Sequence, residues 1–217
     1  SLHIAPGDIY AFIGHNGAGK TTTLKCVAGI HGFDAGTITI GGIDIRKEPL
    51  ESKRQFAYIP DKPDLYEYLT GIQYLDFIAD VFEVSAADRQ ERIEKYAQDF
   101  GIMEALGDLI STYSHGMKQK LCLVASLLHS PKIWILDEPT VGLDIMAVES
   151  VKKMMREYAN HGNCVFVTSH NIELVSKLCD RVAFVNNGVV DKLFDLNRDP
   201  NRRLQLAKIF IETYGGK

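Results

Sequence analysis

Long apolar runs are missing from this chain of 217 residues, although 46% of its residues are hydrophobic. No stretch approaches the roughly 18 to 20 apolar residues that a helix needs to cross a bilayer, and no signal-peptide pattern is visible among the first residues. Any role at a membrane would therefore require a partner protein. The apolar content is enough to bury a large core, which predicts one large domain or a domain with a subdomain.

Cysteine pairs at metal-ligand spacing are missing as well. The four cysteines lie far apart and form no C-x-x-C pair, so we expect reduced thiols and neither a disulfide framework nor a zinc site. They are Cys26, Cys122, Cys164 and Cys179. An excess of basic residues is also missing, because the formal net charge is −4 and the pI is near 6.0. This charge argues against binding to a phosphate backbone, so we expect no nucleic-acid partner.

The sequence does contain a glycine-rich stretch with the spacing G-x-x-x-x-G-K-[ST], at residues 14–21. The apolar run at residues 9–13 predicts a strand before it, and the residues after it can start a helix. In a P-loop of this kind, backbone N–H groups surround a phosphate chain that faces the positive end of the helix dipole. We expect Lys20 to reach the β- and γ-phosphates and the Thr21 hydroxyl to bind Mg²⁺. The predicted phosphate-binding residues are Asn16, Gly17, Ala18, Gly19, Lys20, Thr21 and Thr22.

Between the P-loop and residue 107 the pattern changes from β to helical. Alternating Ile and Thr with paired glycines at residues 36–45 predict a β-hairpin, and residues 49–54 predict a short helix or loop. The apolar residues 56–59 predict a strand that places Asp61 in a loop. From residue 65 onwards, helical spacing produces two apolar stripes that we expect to lie in the core. These stripes are Tyr74, Phe77, Ile78 and Val81, and then Ile93, Ala97 and Phe100.

This helical insertion carries one further signal and one open alternative. Ser85, with Asp88 three positions later, predicts a capping box at the start of a helix. A groove on the insertion that faces a partner is the alternative to a purely structural role.

Helices and strands alternate through the second half of the chain. Ser114 is placed as the N-cap of a helix, and a buried-type strand at residues 133–136 ends in Asp137 and Glu138. After another amphipathic helix, the strand at residues 164–168 leads to Ser169 and His170. A helix at residues 172–178 and a hairpin around Asn187-Gly188 follow. Asp199-Pro200 would open a last helix, and Gly215-Gly216 would close it.

Two carboxylates at the end of one strand, after a P-loop, point to nucleotide hydrolysis. We expect Asp137 to hold Mg²⁺ through water and Glu138 to polarise the water that attacks the γ-phosphate. His170 follows another strand, and it could either donate to the γ-phosphate or orient Glu138. The carboxyl ends of strands are where open α/β sheets bind ligands, so these residues are expected to meet there.

Together these residues resemble the nucleotide-binding domain of ABC transporters over essentially the whole chain. The motifs are Walker A at residues 14–22, the signature at 113–117, Walker B at 133–138, the D-loop at 141–144 and the switch histidine, His170. The resemblance implies an α/β P-loop NTPase with a mainly parallel sheet, a small and incomplete antiparallel β-subdomain and a helical signature subdomain. We expect a single domain over residues 1–217, with the helical subdomain inserted at residues 62–130.

The resemblance also implies a mechanism and partners. Two such domains would pair head to tail, with Ser114 and the N–H of Gly116 facing the γ-phosphate bound by Lys20 of the other subunit. The implied cofactors are ATP and Mg²⁺. The implied partners are a membrane permease subunit and a second ATPase domain, which would hold the chain at the cytoplasmic face of the cell membrane. Similarity of residues 58–61 and 113–119 to exporter-type domains favours export over import.

The chain departs from the family pattern in three places. Asp61 stands where the family usually carries Gln; its oxygens can approach Mg²⁺, but the side chain is shorter, charged and unable to donate as an amide does. The signature has His115 and Met117-Lys118 where Gly and Gly-Gln are common, although Ser114 and Gly116 remain. No upstream aromatic matches the family's adenine-stacking residue, and we expect an N-terminal segment to be missing.

Two other functions compete with a transporter subunit. A soluble ABC ATPase in translation or DNA repair would usually need two tandem cassettes or a long coiled-coil insertion, and 217 residues hold neither. A small-molecule kinase could use the same P-loop, but the signature and the pair of carboxylates argue against it.

Overall fold

The computed structural model describes residues 1–198 and 200–214, and a six-stranded sheet lies at its centre. The strands of this sheet are β1 (Ile9–Ile13), β4 (Phe56–Ile59), β5 (Ile133–Asp137), β6 (Cys164–Thr168), β7 (Arg181–Asn186) and β8 (Val189–Asp195). Their order is β4-β5-β6-β1-β7-β8, and all neighbours are parallel except β7 and β8. β1 and β6 are buried at every residue, as continuous apolar strands in a parallel sheet must be.

Eight α-helices and a small second sheet surround these strands in the described part of the chain. The helices are α1 (Lys20–Val27), α2 (Pro49–Arg54), α3 (Gly71–Val81), α4 (Ala86–Asp99), α5 (His115–Leu127), α6 (Ile145–Asn160), α7 (Ile172–Leu178) and α8 (Pro200–Tyr214). The second sheet is an antiparallel hairpin of β2 (Thr39–Ile40) and β3 (Ile43–Asp44). The predicted fold class, a mainly parallel α/β sheet with a small antiparallel one, is confirmed. None of the described helices is both long and apolar enough to span a bilayer.

The helical insertion lies where the sequence predicts it, between β4 and β5. Its helices α3, α4 and α5 bury side chains in the same apolar cluster as one face of the central sheet. The bounds of the helical subdomain at residues 62–130, and the single domain over 1–217, stay predictions. Pro200 begins the last helix as predicted, whereas Asp199 and Gly215-Gly216 lie outside the described residues.

One of the two predicted apolar stripes is only half right, because Tyr74 and Ile78 pack against the core whereas the other two members do not. On α3, Phe77 is 43% exposed and Val81 is 57% exposed, whereas Leu75 and Ala79 are fully buried. Only Gln73, Asp76 and Asp80 are polar on this helix, so apolar residues occur nearly all round it and the spacing does not select one face. The second stripe, on α4 and its C-cap, is confirmed: Ile93, Ala97 and Phe100 are buried.

The predicted capping box at Ser85 is only half present. The Ser85 hydroxyl accepts a hydrogen bond from the Asp88 N–H at 3.2 Å, as an N-cap does. In the described structure the reciprocal pair occurs at Thr70 and Gln73 instead, with N···O distances of 2.9 and 3.3 Å. The physical reason is length, because an Asp side chain has one methylene fewer than Gln or Glu with which to reach back to the N-cap N–H.

His129, just after α5, is held in a partly buried place between α3 and β4. Its ring stacks on Phe82 with 3.8 Å between centroids, and its Nε2 lies 3.2 Å from the carbonyl oxygen of Phe56, to which it donates. Nδ1 is buried without a hydrogen-bond partner in the described part of the chain. Burial is the main reason that the pKa of His129 is lowered to about 4.

This histidine makes stability depend on pH. Because its pKa is about 4 when folded and near 6.5 when unfolded, the unfolded chain takes up the proton first as the pH falls. The stabilising contribution is complete above the unfolded pKa and is lost as the pH falls towards the folded one. Between about pH 7 and about pH 5.5, we expect the free energy of unfolding of the parent to fall by about 1 kcal/mol more than that of His129→Gln. Urea unfolding at both pH values measures this, and an unchanged pH dependence in the variant would contradict it.

Candidate functional site

The site forms at one edge of the sheet, where β1, β5 and β6 end side by side. Phe12 and Asp137 are both register partners of Thr168, so the three strands reach this edge at the same level. The glycine-rich loop follows β1, Glu138 follows β5, and His170 follows β6. The topology therefore brings together the motifs that the sequence places at strand ends.

The glycine-rich loop has backbone conformations that favour glycine. Gly17 and Gly19 have φ values of +81° and +100°. Gly14 is needed for a different reason, because a Cβ there would lie 2.3 Å from the carbonyl oxygen of Val185. The loop leads into α1, whose N-cap is Gly19, without a side-chain cap and without an acidic residue in the first turn. This uncapped helix start suits an anion.

Lys20 is folded into the loop. Its Nζ donates to the carbonyl oxygens of Gly14 at 2.8 Å and His15 at 3.2 Å, and the residue is 7% exposed. Burial lowers the pKa of Lys20, while the nearby carboxylates of Glu138 and Asp137 act in the opposite direction. Of the other predicted phosphate-binding residues, Asn16, Gly17 and Thr22 are exposed, Gly19 and Thr21 are half-buried and Ala18 is buried.

Asp137 is fully buried and only half satisfied. Its Oδ1 accepts from the Thr168 hydroxyl at 2.5 Å, whereas Oδ2 has no hydrogen-bond partner among the described residues. A buried carboxylate oxygen without a partner is costly unless a cation or water meets it. Asp137 therefore fits the magnesium role that the sequence predicts. Asp61 is exposed two residues beyond the end of β4, the strand paired with β5.

Glu138 and His170 are in direct contact. Glu138 has φ +49°, and its N–H lies 3.0 Å from the Thr168 hydroxyl and 3.2 Å from the Thr168 carbonyl oxygen. Its Oε2 lies 3.0 Å from Nδ1 of His170, whose side chain is 64% exposed, so the proton is assigned to Nδ1. Two roles were predicted for His170, and this contact fits the one in which His170 orients Glu138.

Thr168 is a site residue that sequence reasoning missed. Its hydroxyl contacts both Asp137 and the backbone of Glu138, so one side chain holds the two carboxylate residues in place. The only signal in the sequence is its place as the last residue of the strand before Ser169-His170.

The signature residues start α5 as predicted. The Ser114 hydroxyl accepts from the Met117 N–H at 3.2 Å, which makes Ser114 the N-cap. Gly116 lies close to the D-loop, because a Cβ there would be 3.0 Å from the carbonyl oxygen of Gly142. His115 also contacts this loop, since a Cβ at Gly142 would be 2.3 Å from its ring. The residue that departs from the family pattern thus packs on the D-loop of its own chain.

Comparisons with known proteins identify the family of this chain. The family model described as ABC transporter matches residues 1–141. The linearmycin resistance ATP-binding protein LnrL of Bacillus subtilis is 33% identical over 188 residues, which are 87% of this chain and 60% of that protein. The SkfA peptide export ATP-binding protein SkfE of the same organism is 34% identical, over 87% of this chain and 78% of its own length.

A solved structure of the ATP-binding subunit of an ABC transporter has a TM-score of 0.91 and 32% identity, and it covers 97% of this chain and 90% of its own. The chain spans about three fifths of the length of the LnrL protein. The family match extends over more than half of the residues and includes the glycine-rich loop and both carboxylates. This chain therefore belongs to the ABC transporter family, among its ATP-binding components.

Proposed function

We propose that this chain binds and hydrolyses ATP as the energy-coupling subunit of a membrane transporter, and that ATP closes two ATPase domains head to tail. The contact of Glu138 with His170, at the strand end that also carries buried Asp137, is the observation that carries this proposal. An ATP-dependent switch without hydrolysis would need the loop and Asp137 but would have no use for an oriented second carboxylate.

Different residues at the sheet edge would bind the phosphates and Mg²⁺. The N–H groups of the loop and the start of α1 would surround the phosphates, with Lys20 supplying positive charge at the β- and γ-phosphates. Thr21 and Asp137 would hold Mg²⁺, with Asp61 as a further contact. When bound, the ion would neutralise phosphate charge and so favour transfer.

The hydrolytic step follows from the position of Glu138. Its carboxylate would accept a proton from water as the water oxygen bonds to the γ-phosphorus, and the bond from that phosphorus to the bridging oxygen of ADP would break. The products are ADP and inorganic phosphate. His170, through its 3.0 Å contact with Glu138, would hold the carboxylate in position.

An aromatic patch on the helical insertion supports a membrane partner. Tyr66 and Phe77 are 47% and 43% exposed, with ring centroids 5.5 Å apart, and Tyr68 is 75% exposed beside them. Val81, four residues beyond Phe77 on α3, is 57% exposed. Contiguous exposed apolar surface of this kind marks an interaction site. We propose that it contacts the permease subunit, which would hold the chain at the cytoplasmic face of the membrane.

The direction proposed for transport is export. The relative SkfE is described as a peptide export protein, and it matches 87% of this chain. This relative adds to the preference for export that the similarity of residues 58–61 and 113–119 gives.

Solution mass tests the closing of the dimer. Glu138→Gln should bind ATP without hydrolysing it. We expect light scattering to show that this variant changes from monomer to dimer only when MgATP is added. Adding Ser114→Arg should abolish this change, because Ser114 would face the γ-phosphate across the interface. Ser85→Arg is the matched control, since Ser85 caps α4 through the same 3.2 Å contact and lies outside the signature.

The outcomes separate the functions. A dimer that forms equally with Ser114→Arg would contradict the role of the signature. A monomer that binds MgATP and never dimerises would contradict closing of two identical subunits and favour an unlike partner cassette or a soluble ATPase.

A further inference from the structure

The tight turn between β7 and β8 lies directly against the glycine-rich loop. Its two central residues, Asn187 and Gly188, have φ values of +49° and +76°, and the flanking residues Asn186 and Val189 are register partners. Positive φ at both central residues is the geometry of a type I′ turn, for which Asn-Gly is the favoured pair. β7 pairs with β1, so the turn emerges beside the loop that follows β1.

Two hydrogen bonds and one close approach join the turn to the loop. The N–H of Gly188 donates to the carbonyl oxygen of Ala18 at 2.8 Å. The side chains of Asn186 and His15 meet at 3.2 Å, between Oδ1 and Nε2. A Cβ on Gly19 would lie 3.2 Å from Cα of Gly188, so the two backbones are nearly in contact. The turn therefore contacts the loop near both of its ends.

The bond to Ala18 bears directly on phosphate binding. In a trans peptide the C=O and N–H groups point in opposite directions, and no cis peptide occurs among the described residues. When Gly188 holds the Ala18 carbonyl on the outer side of the loop, the N–H of the same peptide unit, which belongs to Gly19, must point to the inner side. The inner side is where a P-loop presents its N–H groups to phosphates.

We propose that the β7–β8 turn, residues 186–188, is a positioning element that sets the peptide between Ala18 and Gly19 for phosphate binding. The turn itself does not touch the nucleotide. This inference rests on the proposed function, because it assumes that the glycine-rich loop binds ATP. It adds a distant segment, about 170 positions later in the chain, to the determinants of nucleotide affinity.

The test compares one substitution at two glycines. Gly188→Val should force the turn out of its positive-φ conformation, since β-branched residues are rarely found there. Gly162→Val is the matched control, because Gly162 has φ +84° and, like Gly188, has no atom within 4 Å of an added Cβ. Gly162 precedes β6, at the sheet edge opposite the site.

We expect Gly188→Val to weaken binding of both MgADP and MgATP by about fivefold, the ratio typical of one backbone hydrogen bond. Gly162→Val should lower stability in urea similarly and leave both affinities unchanged. In ATP hydrolysis, Gly188→Val should raise KM and leave kcat near that of the parent, because an interaction made equally in the ground and transition states is lost.

A second pair of variants keeps the test independent of the strain at Gly188. Asn186→Ala and His15→Ala should each weaken MgADP binding, and the double variant should be no weaker than the worse single one, because both remove the same contact. If the parent binds nucleotide, and Gly188→Val and Asn186→Ala bind it with the same affinity, the positioning role alone is overturned. If the parent binds neither MgADP nor MgATP, the proposed function is overturned as well.

Discussion

Glu138→Gln is expected to lower the rate of ATP hydrolysis about 100- to 10,000-fold, the contribution typical of a general base. Gln has nearly the same shape as Glu but cannot accept the proton from water at neutral pH. The 3.0 Å contact with His170 can be kept by the amide oxygen, so the site should remain assembled. Nucleotide affinity should therefore stay close to that of the parent. Phosphate release under saturating MgATP and equilibrium binding of MgATP measure the two quantities.

Glu173→Gln is the matched control for this prediction. It makes the same chemical change in the first turn of α7, just beyond His170, and the Glu173 side chain is 75% exposed and paired with Lys177. Its hydrolysis rate should equal that of the parent. Similar hydrolysis rates in Glu138→Gln and the parent would remove Glu138 as the base and leave the role of His170 unexplained.

Lys20→Ala is expected to have the largest effect on binding. Lys20 is 7% exposed, and its ammonium donates to two backbone carbonyl oxygens of the loop. A triphosphate would offer it charged oxygens instead, and hydrogen bonds between charged groups in a buried place are the strong ones. We expect MgATP affinity to fall by about 100-fold, which corresponds to about one or two such bonds. Titration calorimetry or a fluorescent ATP analogue can measure this loss.

The control for Lys20→Ala is Lys25→Ala, which removes the same charge from the last turn of the same helix. Lys25→Ala should bind MgATP like the parent. Because Lys20 also holds the loop closed, Lys20→Met keeps most of the side-chain volume and tests the charge by itself. Tight MgATP binding by Lys20→Met, with a urea midpoint equal to that of the parent, would contradict the phosphate role of Lys20.

The local motifs were predictable because their chemistry is carried by consecutive residues. Each of these motifs combines a strand or helix boundary with a specific side chain. They are the loop at residues 14–21, the pair Asp137-Glu138 and the N-cap at Ser114. The structure places all three at the predicted boundaries. The assigned roles in binding and catalysis stay predictions until the variants above are measured.

Other features could not be predicted because they depend on which surface another element covers. The spacing on α3 suggested that Phe77 and Val81 are buried, but only packing shows that the insertion covers Leu75 and Ala79 instead. A helix that is apolar nearly all round has no preferred face in its sequence.

Glycine spacing, a lysine and two carboxylates were enough to predict a phosphate site with a base, because these signals lie in short stretches of the chain. Which distant groups hold these residues in place became visible only in the fold. Thr168 reaches Asp137 and Glu138 because β5 and β6 pair in one register, and Gly188 reaches Ala18 because β7 lies beside β1. Strand order and register are set by burial of the whole sheet. Contacts between residues 30 or 170 positions apart leave no local pattern in the chain.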